Sequence, residues 1–371
     1  MTPPLRIAVP IHSFEPGGVE RVALNLAAAW QAGGTEVKVL LGRRDGAMAS
    51  TAPALDYVVR PELIPTAAWE TPWLIWAVWR WLRRNRVDGL FAAGNTYAIV
   101  GVALKLLLGQ RCPPIALKIS NDLVRRDLPA PVRWGYRRWL RLQGRWLDHF
   151  VGMAAPMRAE IAAAMRVSDE RITIIEDPAL ETAQLTALGA IPRSSAIPRA
   201  PQYVAVGRLA GQKNFPLLLR AFAALANPAA RLVIVGEGGE RARLERLIAQ
   251  LGIAGQVQLA GHCDPLPQLA AASAYVLSSD YEGVPAVVIE ALAAGLPIAG
   301  TDCSVSMQAL TGASAYGRLV PLRDAGALAG AMRDVLTMPF DPAAARASTQ
   351  RFTIDAAAAR YQALFARLAR S

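Results

Sequence analysis

Two carboxylates eight positions apart mark the most informative part of the chain. Glu282 and Glu290 lie in the run SSDYEGVPAVVIEALAAGLPIAG at residues 278–300. Apolar residues flank Glu290 on both sides, so its carboxylate is predicted to be buried, at a cost that a donor such as a ligand hydroxyl would offset. A carboxylate that accepts hydrogen bonds from two vicinal hydroxyls is a common way of holding ribose. The pattern therefore favours a nucleotide-binding role for Glu290.

Glu282 stands in a different setting, on the loop just before a predicted helix. The residues that follow it are Gly283, Val284, Pro285 and Ala286. Backbone N–H groups at the start of a helix are unpaired and can bind an anion. Taken alone, an acid on a surface loop near a helix start is the simpler explanation of Glu282. Its interpretation as a site residue depends on the other motifs of the chain.

Alternating apolar runs and amphipathic stretches must position these residues. One alternation of predicted strands and helices fills residues 1–178, and a second fills residues 202–350. This rhythm is typical of parallel sheets covered by helices. From Pro178 to Pro201, four prolines and a serine pair interrupt any long helix, which indicates a linker at 179–201. A last helix is expected at 351–371, where it could pack on either domain, including the N-terminal one.

The predicted fold class is therefore α/β, with two doubly wound, Rossmann-like domains. Open parallel sheets bind ligands beyond the carboxyl ends of their strands. Two such domains that face each other would form a cleft between them, and we expect the site in that cleft. The first strand leads into HSFEPGGVE at residues 12–20 and not into G-x-G-x-x-G, which argues against a dehydrogenase.

Positive charge and tryptophan coincide in one window of the N-terminal half. Residues 72–146 contain fourteen Lys or Arg against three Asp, so this window carries the whole formal charge of +11, and seven of the nine tryptophans lie in it. Two segments, 72–86 and 131–146, interleave indoles with guanidinium groups at helical spacing, which suits the surface of an anionic membrane. Core-packing helices with a solvated basic face are the alternative. RNA is a weaker candidate because no RNA-binding signature is present, and we expect no nucleic acid partner.

Composition narrows the class of protein. The chain has 371 residues, of which 53% are hydrophobic and 19% charged, enough to bury two cores. The three cysteines are far apart and odd in number, so neither a disulfide scaffold nor a structural metal is expected. No signal peptide and no membrane-spanning run is found, and we expect a cytoplasmic protein that associates peripherally with the inner face of the membrane.

Four motifs together resemble the retaining glycosyltransferases of family 4, which have the GT-B fold and belong to the glycosyl transferases group 1. The segment EGVPAVVIE at 282–290 is similar to the E-x(7)-E element of that family. VGRL at 206–209 with KN at 213–214 resembles its V-G-R-L-x-x-x-K-N loop, and VGEG at 235–238 resembles its V-G-x-G turn, which includes Gly236. PGGVER at 16–21 resembles its N-terminal glycine loop. The resemblance covers most of the chain.

The resemblance implies transfer of a sugar from a nucleoside diphosphate, without a metal or other cofactor. Arg208 and Lys213 would compensate the charge that grows on the leaving phosphate, Arg by a bidentate fork and Lys as a point charge. Gly17 and Gly18 would let the backbone approach the diphosphate, although a plain tight turn explains them equally well.

The family also implies roles for the remaining motif residues. Glu290 would hold the ribose hydroxyls, Glu282 would contact the transferred sugar, and the amides of 283–286 would contact sugar or phosphate. Family members are thought to retain the anomeric configuration by front-face attack, in which the departing phosphate helps to deprotonate the acceptor. A lipid-linked or other membrane-proximal acceptor is expected, in cell-surface polysaccharide or glycolipid synthesis.

The sequence departs from the family at one position near the transferred sugar. Many members have a histidine after the fourth strand of the first domain, where this chain has Asn121 and Asp122. Asn121 would take over the hydrogen bonding, or Asp122 would be the polar partner. Among the three histidines, His12 follows the first strand at the glycine loop, and His262 follows a strand of the second domain.

Two other functions remain open from the sequence. A nucleotide-sugar epimerase of the GT-B type would also need two facing domains, with an acid and a base that the missing histidine does not supply. A non-catalytic basic adaptor for membranes or nucleic acid could keep the fold, but the intact motif residues argue against it.

Overall fold

The computed structural model of the protein describes residues 4–15, 17–62, 66–120, 123, 129–193 and 199–370. Contacts divide the chain into two compact units, which are described separately. Unit 1 consists of Met1–Pro178 and Ile354–Ser371, and unit 2 of Ala179–Thr353.

Unit 1 contains a parallel sheet of seven strands within its described residues, in the spatial order β3-β2-β1-β4-β5-β6-β7. The strands are short, and those inside the sheet are mostly buried, whereas the two edge strands are less so. Helices follow most of the strands along the chain, as the apolar rhythm predicted. The strands are β1 Arg6–Ile11, β2 Glu36–Leu41, β3 Tyr57–Val59, β4 Gly89–Ala92, β5 Ile115–Lys118, β6 His149–Gly152 and β7 Ile172–Ile174. The helices are α1 Gly18–Ala32, α2 Glu70–Leu82, α3 Ala98–Leu108, α4 Ala130–Trp146 and α5 Met157–Met165.

Unit 2 repeats this architecture with six parallel strands, in the order β10-β9-β8-β11-β12-β13. The strands are β8 Gln202–Val206, β9 Arg231–Val235, β10 Val257–Gly261, β11 Ala274–Leu277, β12 Ile298–Thr301 and β13 Gly317–Val320. The helices are α6 Thr182–Gly189, α7 Phe215–Ala223, α8 Arg241–Gln250, α9 Leu266–Ala271, α10 Ala286–Ala293, α11 Met307–Leu310, α12 Ala325–Asp334 and α13 Pro342–Thr349.

The segment predicted as a linker, 179–201, is part of unit 2 over its described residues. It contains α6, which packs against α10. Arg193 then donates hydrogen bonds to the carbonyls of Leu269, Ala272 and Ala294. A packed helix and the hydrogen bonds of Arg193 therefore attach residues 179–193 to unit 2, and their role as a linker stays a prediction. Proline and serine content predicted the interruption of helices here but missed α6.

The last helix, α14 (Ile354–Leu368), belongs to unit 1 although it comes after all of unit 2. Tyr361 and Phe365 are fully buried, and their rings contact Trp30 of α1 and Phe91 of β4. The indole N–H of Trp30 donates to the carbonyl of Ala358 at 3.1 Å. The hydrophobic core of unit 1 is therefore completed by the end of the chain.

The two basic helices differ in how much of their apolar surface is buried. In α2, Trp73 is 8% exposed and its indole N–H donates to the carbonyl of Gly42, whereas Trp76 is 40% exposed. In α4, Trp134 is 62% exposed, and only three residues of the helix are buried. The core-packing alternative thus describes much of α2 and little of α4. Within the described residues, every helix is too short or too polar to cross a bilayer.

Candidate active site

The predicted site residues of unit 2 gather at one edge of its sheet. Strands β8 and β11 are neighbours in the sheet, while the chain between them passes through β9 and β10 on the other side. At such a switch point the loops leave in opposite directions, and a crevice opens beyond the carboxyl ends of the strands. The loops that follow β8 and β11 span 207–214 and 278–285, and they contain Arg208, Lys213 and Glu282.

Lys213 and Glu282 form an ion pair across this switch point. Nζ of Lys213 lies 2.5 Å from Oε1 of Glu282, and the two side chains are 19% and 11% exposed. The hydroxyl of Ser279 donates to the same carboxylate oxygen at 2.7 Å, and the amide of Gln212 lies 3.4 Å from the other. These contacts compensate the cost of burying the charges. An ammonium has three donors, so Lys213 can hold Glu282 and still bind a phosphate oxygen.

Arg208 has the opposite character, although it lies only five residues away. Its side chain is exposed, and among the described residues we find no hydrogen bond or ion pair made by its guanidinium. The backbone around it is nevertheless fixed, because Gly207 N–H donates to Val235 and Leu209 N–H donates to Glu237. Arg208 is thus a cation on a rigid loop whose five donors remain available to a ligand.

Glycines allow the loop after β9 to approach the loop that holds Arg208. Gly236 has φ +144°, and a Cβ built on it would lie 2.0 Å from the carbonyl oxygen of Gly207. Gly238 has φ +156°, and its Cβ would lie 2.4 Å from the carbonyl oxygen of Leu209. Side chains at these positions would push the two loops apart. The structure thus assigns Gly236 a packing role, and direct donor contact by this residue stays a prediction.

Glu290 is buried on α10, as its apolar flanks predicted, with 9% of its surface exposed. Gln184 of α6 places its amide nitrogen 3.4 Å from Oε1 of Glu290. Glu290 and Glu282 both lie near the hydroxyl of Tyr275, which sits 3.3 Å from the backbone nitrogen of Val206. Burial, and then the two carboxylates, raise the pKa of Tyr275, so this hydroxyl stays neutral.

Two serines fix the turn at residues 283–285, which lies between Glu282 and Glu290. The hydroxyls of Ser304 and Ser306 donate to the carbonyl of Gly283 at 2.8 and 2.5 Å. The N–H groups of Gly283, Val284 and Ala286 donate no hydrogen bond that we find among the described residues. Pro285, the fourth residue of this predicted set, has no N–H to offer. Three amides at the start of α10 are therefore available to sugar or phosphate oxygens.

Several residues of this edge escaped the analysis of the sequence. Asp280 accepts a hydrogen bond from Asn214 at 2.9 Å and pairs with Arg323 at 3.1 Å, which ties three loops together. Ser279 and Tyr275 contact the site as described above. Asp280 and Ser279 directly follow β11, so the rule that polar residues at strand ends gather in one place would have found them. Gln184 gave no such signal, because only the packing of α6 brings it to Glu290.

In unit 1 the equivalent switch point lies between β1 and β4, and a hollow of about 400 Å³ opens there. The hollow is lined by His12, Ser13, Glu15, Gly17, Glu20, Glu70, Thr71 and Thr96. Three of these residues are acids and none is Lys or Arg. Carboxylates accept hydrogen bonds from sugar hydroxyls and repel phosphate.

His12 is anchored in this hollow. Its Nε2 lies 3.1 Å from the hydroxyl of Thr71, and its ring lies against Tyr97 with centroids 4.8 Å apart. Burial lowers the pKa of His12, so the ring is neutral at neutral pH. The other histidine singled out, His262, directly follows β10, and its side chain is exposed.

The glycine loop is approached by a carboxylate of its own helix. A Cβ built on Gly17 would lie 2.1 Å from Oε2 of Glu20, and nothing lies within 4 Å of the corresponding position on Gly18. Tyr97 donates its hydroxyl proton to Oε1 of Glu20 at 2.9 Å and so fixes the carboxylate. Contact of Gly17 and Gly18 with a diphosphate stays a prediction. Pro16, Asn121 and Asp122 lie outside the described residues.

Two open parallel sheets, each with polar residues at its switch point, define an α/β protein of the GT-B class. Two family models match the chain: Glycosyltransferase Family 4 over residues 16–178 and Glycosyl transferases group 1 over residues 190–352. Together the two models cover most of the chain, which therefore belongs to the group 1, family 4 glycosyltransferases.

Individual relatives agree with the family. The chain is 34% identical over 138 residues to the lipopolysaccharide core biosynthesis glycosyltransferase LpsE of Rhizobium meliloti, covering 37% of this chain and 40% of that one. It is 32% identical over 134 residues to the Campylobacter jejuni N-acetylgalactosamine-N,N'-diacetylbacillosaminyl-diphospho-undecaprenol 4-alpha-N-acetylgalactosaminyltransferase, covering 36% of each. The alignments thus span two fifths or less of these relatives.

Among solved structures, the fold is similar to that of Anabaena HepE in complex with UDP and glucose. The TM-score is 0.74 at 17% identity, and the match covers 98% of this chain and 99% of that one. At this identity the likeness establishes the fold. Within the described residues, no three His, Cys, Asp or Glu side chains are close enough to share a metal ion.

Proposed function

We propose that the protein transfers a sugar from a nucleoside diphosphate sugar to a hydroxyl of an acceptor, with retention of the anomeric configuration. The observation that carries the proposal is the Lys213–Glu282 ion pair at the switch point of unit 2, with the exposed guanidinium of Arg208 on the same loop. HepE, which has the same fold, was solved with UDP and glucose. LpsE is named for lipopolysaccharide core biosynthesis.

In this proposal the diphosphate binds to Arg208 and Lys213. Cleavage of the anomeric bond leaves an additional negative charge on the departing phosphate, and fixed cations stabilise that charge without reorganising. Glu282 keeps Lys213 in place and accepts a hydrogen bond from the transferred sugar. Glu290 accepts hydrogen bonds from the ribose, and the amides of 283, 284 and 286 bind phosphate or sugar oxygens. The departing phosphate oxygen takes the acceptor proton, so no protein base and no metal is assigned a step.

Binding of the nucleotide is tested by thermal shift with UDP, GDP, ADP and their sugars, because a ligand that binds only the folded state raises Tm. One nucleotide should stabilise the wild type, and Glu290→Gln should bind it roughly tenfold more weakly, since a charged acceptor is lost. Arg246→Ala, an exposed Arg on α8, is the control and should bind normally. Equal binding by wild type and Glu290→Gln would contradict the ribose assignment.

The stereochemistry needs a separate measurement. The anomeric configuration of the new glycosidic bond, read from its NMR coupling constants in the purified product, should be the same as that of the donor sugar. A product of inverted configuration would refute the front-face mechanism, while leaving the nucleotide site intact.

We further propose that the acceptor is lipid-linked and that unit 1 contacts the membrane peripherally, at its cytoplasmic face. The Campylobacter relative is named for an undecaprenol-linked acceptor. Ten large hydrophobic side chains are exposed among the described residues, and eight of them lie in unit 1 between positions 69 and 142. They are Trp69, Trp76, Ile99, Leu106, Leu107, Val132, Trp134 and Leu142. All of these except Trp69 fall in the basic window, residues 72–146. Basic, apolar surfaces of this kind bind anionic membranes.

Co-sedimentation with vesicles tests this contact. Binding to vesicles that contain phosphatidylglycerol should exceed binding to phosphatidylcholine alone, and high salt should reduce the difference because it screens surface charge. Equal pelleting with neutral and anionic vesicles at both salt concentrations would remove the electrostatic part of the proposal.

A further inference from the structure

A second and larger hollow lies at the opposite end of the sheet of unit 1. It measures about 1020 Å³, and its lining residues lie in two segments, 79–87 and 107–113. These segments connect α2 to β4 and α3 to β5, so the hollow lies beside the amino ends of those strands. Substrates of open parallel sheets bind at the carboxyl ends. The hollow is therefore distinct from the one at His12, and its volume is that of a ligand pocket.

Four arginines line this hollow, and its lining contains no acid. Arg83, Arg84, Arg86 and Arg111 are all exposed, and we find no ion pair for any of them within the described part of unit 1. Other cations of the same unit are paired, for example Lys105 with Asp148 at 2.6 Å. Because no carboxylate compensates the four guanidinium groups, an anion that binds among them relieves their mutual repulsion.

The donors in the hollow suit phosphate. Guanidinium forks match phosphate oxygens in bidentate geometry. The amide side chains of Asn85 and Gln110 also line the hollow and add neutral donors. The guanidinium of Arg83 lies over the ring of Trp79, 5.0 Å from its centroid, which limits its movement. The hollow therefore offers several partly ordered donors to one phosphate-bearing group.

Exposed leucines at the edge of the hollow indicate which kind of molecule carries the phosphate. Leu106 and Leu107 lie in the last turn of α3, a few residues before Arg111, and they are 58% and 55% exposed. Leu107 also lines the hollow. A free anion gains nothing from exposed leucines, whereas a lipid offers acyl chains to them directly next to its phosphate. The combination of a cationic hollow and a leucine rim favours a lipid.

We propose that this arginine pocket (Arg83, Arg84, Arg86 and Arg111) binds the phosphate headgroup of an anionic lipid in the bilayer, with Leu106 and Leu107 inserted among the acyl chains. The inference deepens the membrane contact proposed above and rests on it. It replaces diffuse attraction by a defined site at the amino ends of β4 and β5. It assigns these arginines no part in binding the nucleotide sugar.

Charge reversal at two places of equal charge tests the pocket. Arg84→Glu with Arg111→Glu changes the pocket, and Arg137→Glu with Arg141→Glu makes the same change on the exposed face of α4. Binding to vesicles of phosphatidylcholine with phosphatidylglycerol is measured by co-sedimentation at fixed salt. Diffuse attraction predicts similar losses in both double variants, about fivefold for each positive charge removed. The pocket predicts that the first double variant loses at least tenfold more affinity than the second, and similar losses would overturn it.

A leucine double variant distinguishes a lipid headgroup from a free phosphate compound as the ligand of the pocket. Leu106→Ser with Leu107→Ser should weaken vesicle binding severalfold. It should leave unchanged the binding of inorganic pyrophosphate, measured by calorimetry with the nucleotide site of unit 2 saturated by the donor nucleotide. If the leucine variant binds vesicles as the wild type does while pyrophosphate binds to the pocket, the site serves a free phosphate and the lipid proposal is overturned.

Nucleotide binding provides the control for folding and for independence. The thermal shift produced by the donor nucleotide should be the same in wild type, both arginine variants and the leucine variant. A wild type that does not bind anionic vesicles would overturn both the pocket and the membrane contact. If the pocket double variant still binds anionic vesicles while the α4 double variant does not, the pocket is overturned and the proposed membrane contact stands.

Discussion

Arg208 and Lys213 carry the same charge, but the stability of the folded protein depends on Lys213 and not on Arg208. Lys213 is paired with a nearly buried carboxylate, whereas Arg208 is exposed on a loop whose backbone is already fixed. Removal of Lys213 leaves Glu282 with the hydroxyl of Ser279 but without a counter-charge. A buried charge that loses its partner is strongly destabilising, whereas an exposed unpaired cation contributes little to folding. Ligand binding and stability are thus separable at these two positions.

We predict that Arg208→Ala lowers kcat about 10²–10³-fold with Tm unchanged, because its fork acts on the charge that develops on the phosphate. Lys213→Ala should lower kcat and also reduce the free energy of unfolding by at least about 2 kcal/mol. Sugar transfer and urea denaturation measure the two effects. Lys213→Met with Glu282→Gln should recover most of the stability but not the activity. An Arg208→Ala variant that unfolds earlier than Arg246→Ala would contradict the assignment.

At the scale of the elements, the loop after β9 and the loop after β8 are packed backbone to backbone. The approach depends on Gly236, because any Cβ there collides with the carbonyl of Gly207 and because its φ of +144° is unfavourable for other residues. Gly239, three positions on, is open on all sides to 4 Å. The V-G-x-G turn therefore acts on Arg208 through the position of its loop.

Gly236→Ala should reduce the free energy of unfolding by more than about 2 kcal/mol, since neither backbone segment can yield without breaking a strand-end hydrogen bond. Gly239→Ala should change it by less than about 0.5 kcal/mol. Chemical denaturation of both variants measures the contrast. Equal stability of the two would show that the loops do not need this contact.

His149 makes strand β6 sensitive to acid. The residue is 2% exposed, and its Nε2 lies 2.8 Å from the hydroxyl of Thr173 on β7. Burial, reinforced by the charges of Arg367 and Arg171, lowers the pKa of His149 from 6.5 to about 4. The folded protein therefore keeps this ring neutral over a range of pH in which the unfolded chain takes up a proton.

Acidification removes the folding stability that depends on a neutral His149. Stability from neutral His149 is fully present above about pH 6.5 and is lost as the pH falls towards about 4, by roughly 1.4 kcal/mol per pKa unit and up to about 3 kcal/mol in total. Urea denaturation of wild type and His149→Gln at several pH values isolates this contribution, because other groups titrate in both. The stability difference between the two proteins should shrink or reverse on acidification, and parallel curves would contradict the buried neutral ring.

At the scale of the whole chain, the end of the sequence completes the core at its beginning. Phe365 of α14 is fully buried against Trp30 and Phe91, and it lies so close to Gly89 that a Cβ there would collide with its ring. All nine tryptophans belong to unit 1, so tryptophan fluorescence reports on this unit alone. Unit 2, which separates α14 from the rest of unit 1 along the chain, can be followed through nucleotide binding.

Phe365→Ala should destabilise unit 1 by about 3–5 kcal/mol, because a large buried ring is replaced by a cavity. The tryptophan fluorescence transition should move to lower urea, while the nucleotide affinity stays within twofold in the absence of denaturant. Arg370→Ala, an exposed change near the same end of the chain, should move neither. An unshifted transition in Phe365→Ala would contradict the packing of α14.

The sequence by itself determined what depends on local order along the chain. The alternation of apolar runs and amphipathic helices predicted the two parallel sheets, because strands and helices follow their own hydrophobic periods. Motif order predicted the family and the residues Arg208, Lys213, Glu282 and Glu290. The apolar flanks of Glu290 predicted its burial correctly, because a helix that is apolar on all sides is packed into a core.

Only the tertiary structure decided what depends on contacts between distant segments. It paired Lys213 with Glu282 across 69 positions, brought Gln184 of an expected linker to Glu290, and placed α14 in the core of unit 1. It also sorted the tryptophans of the basic window into buried Trp73 and exposed Trp76 and Trp134. A sequence pattern specifies which residues prefer burial, but the partner of each charge and ring is set by strand order and helix packing, which bring together residues far apart in the chain.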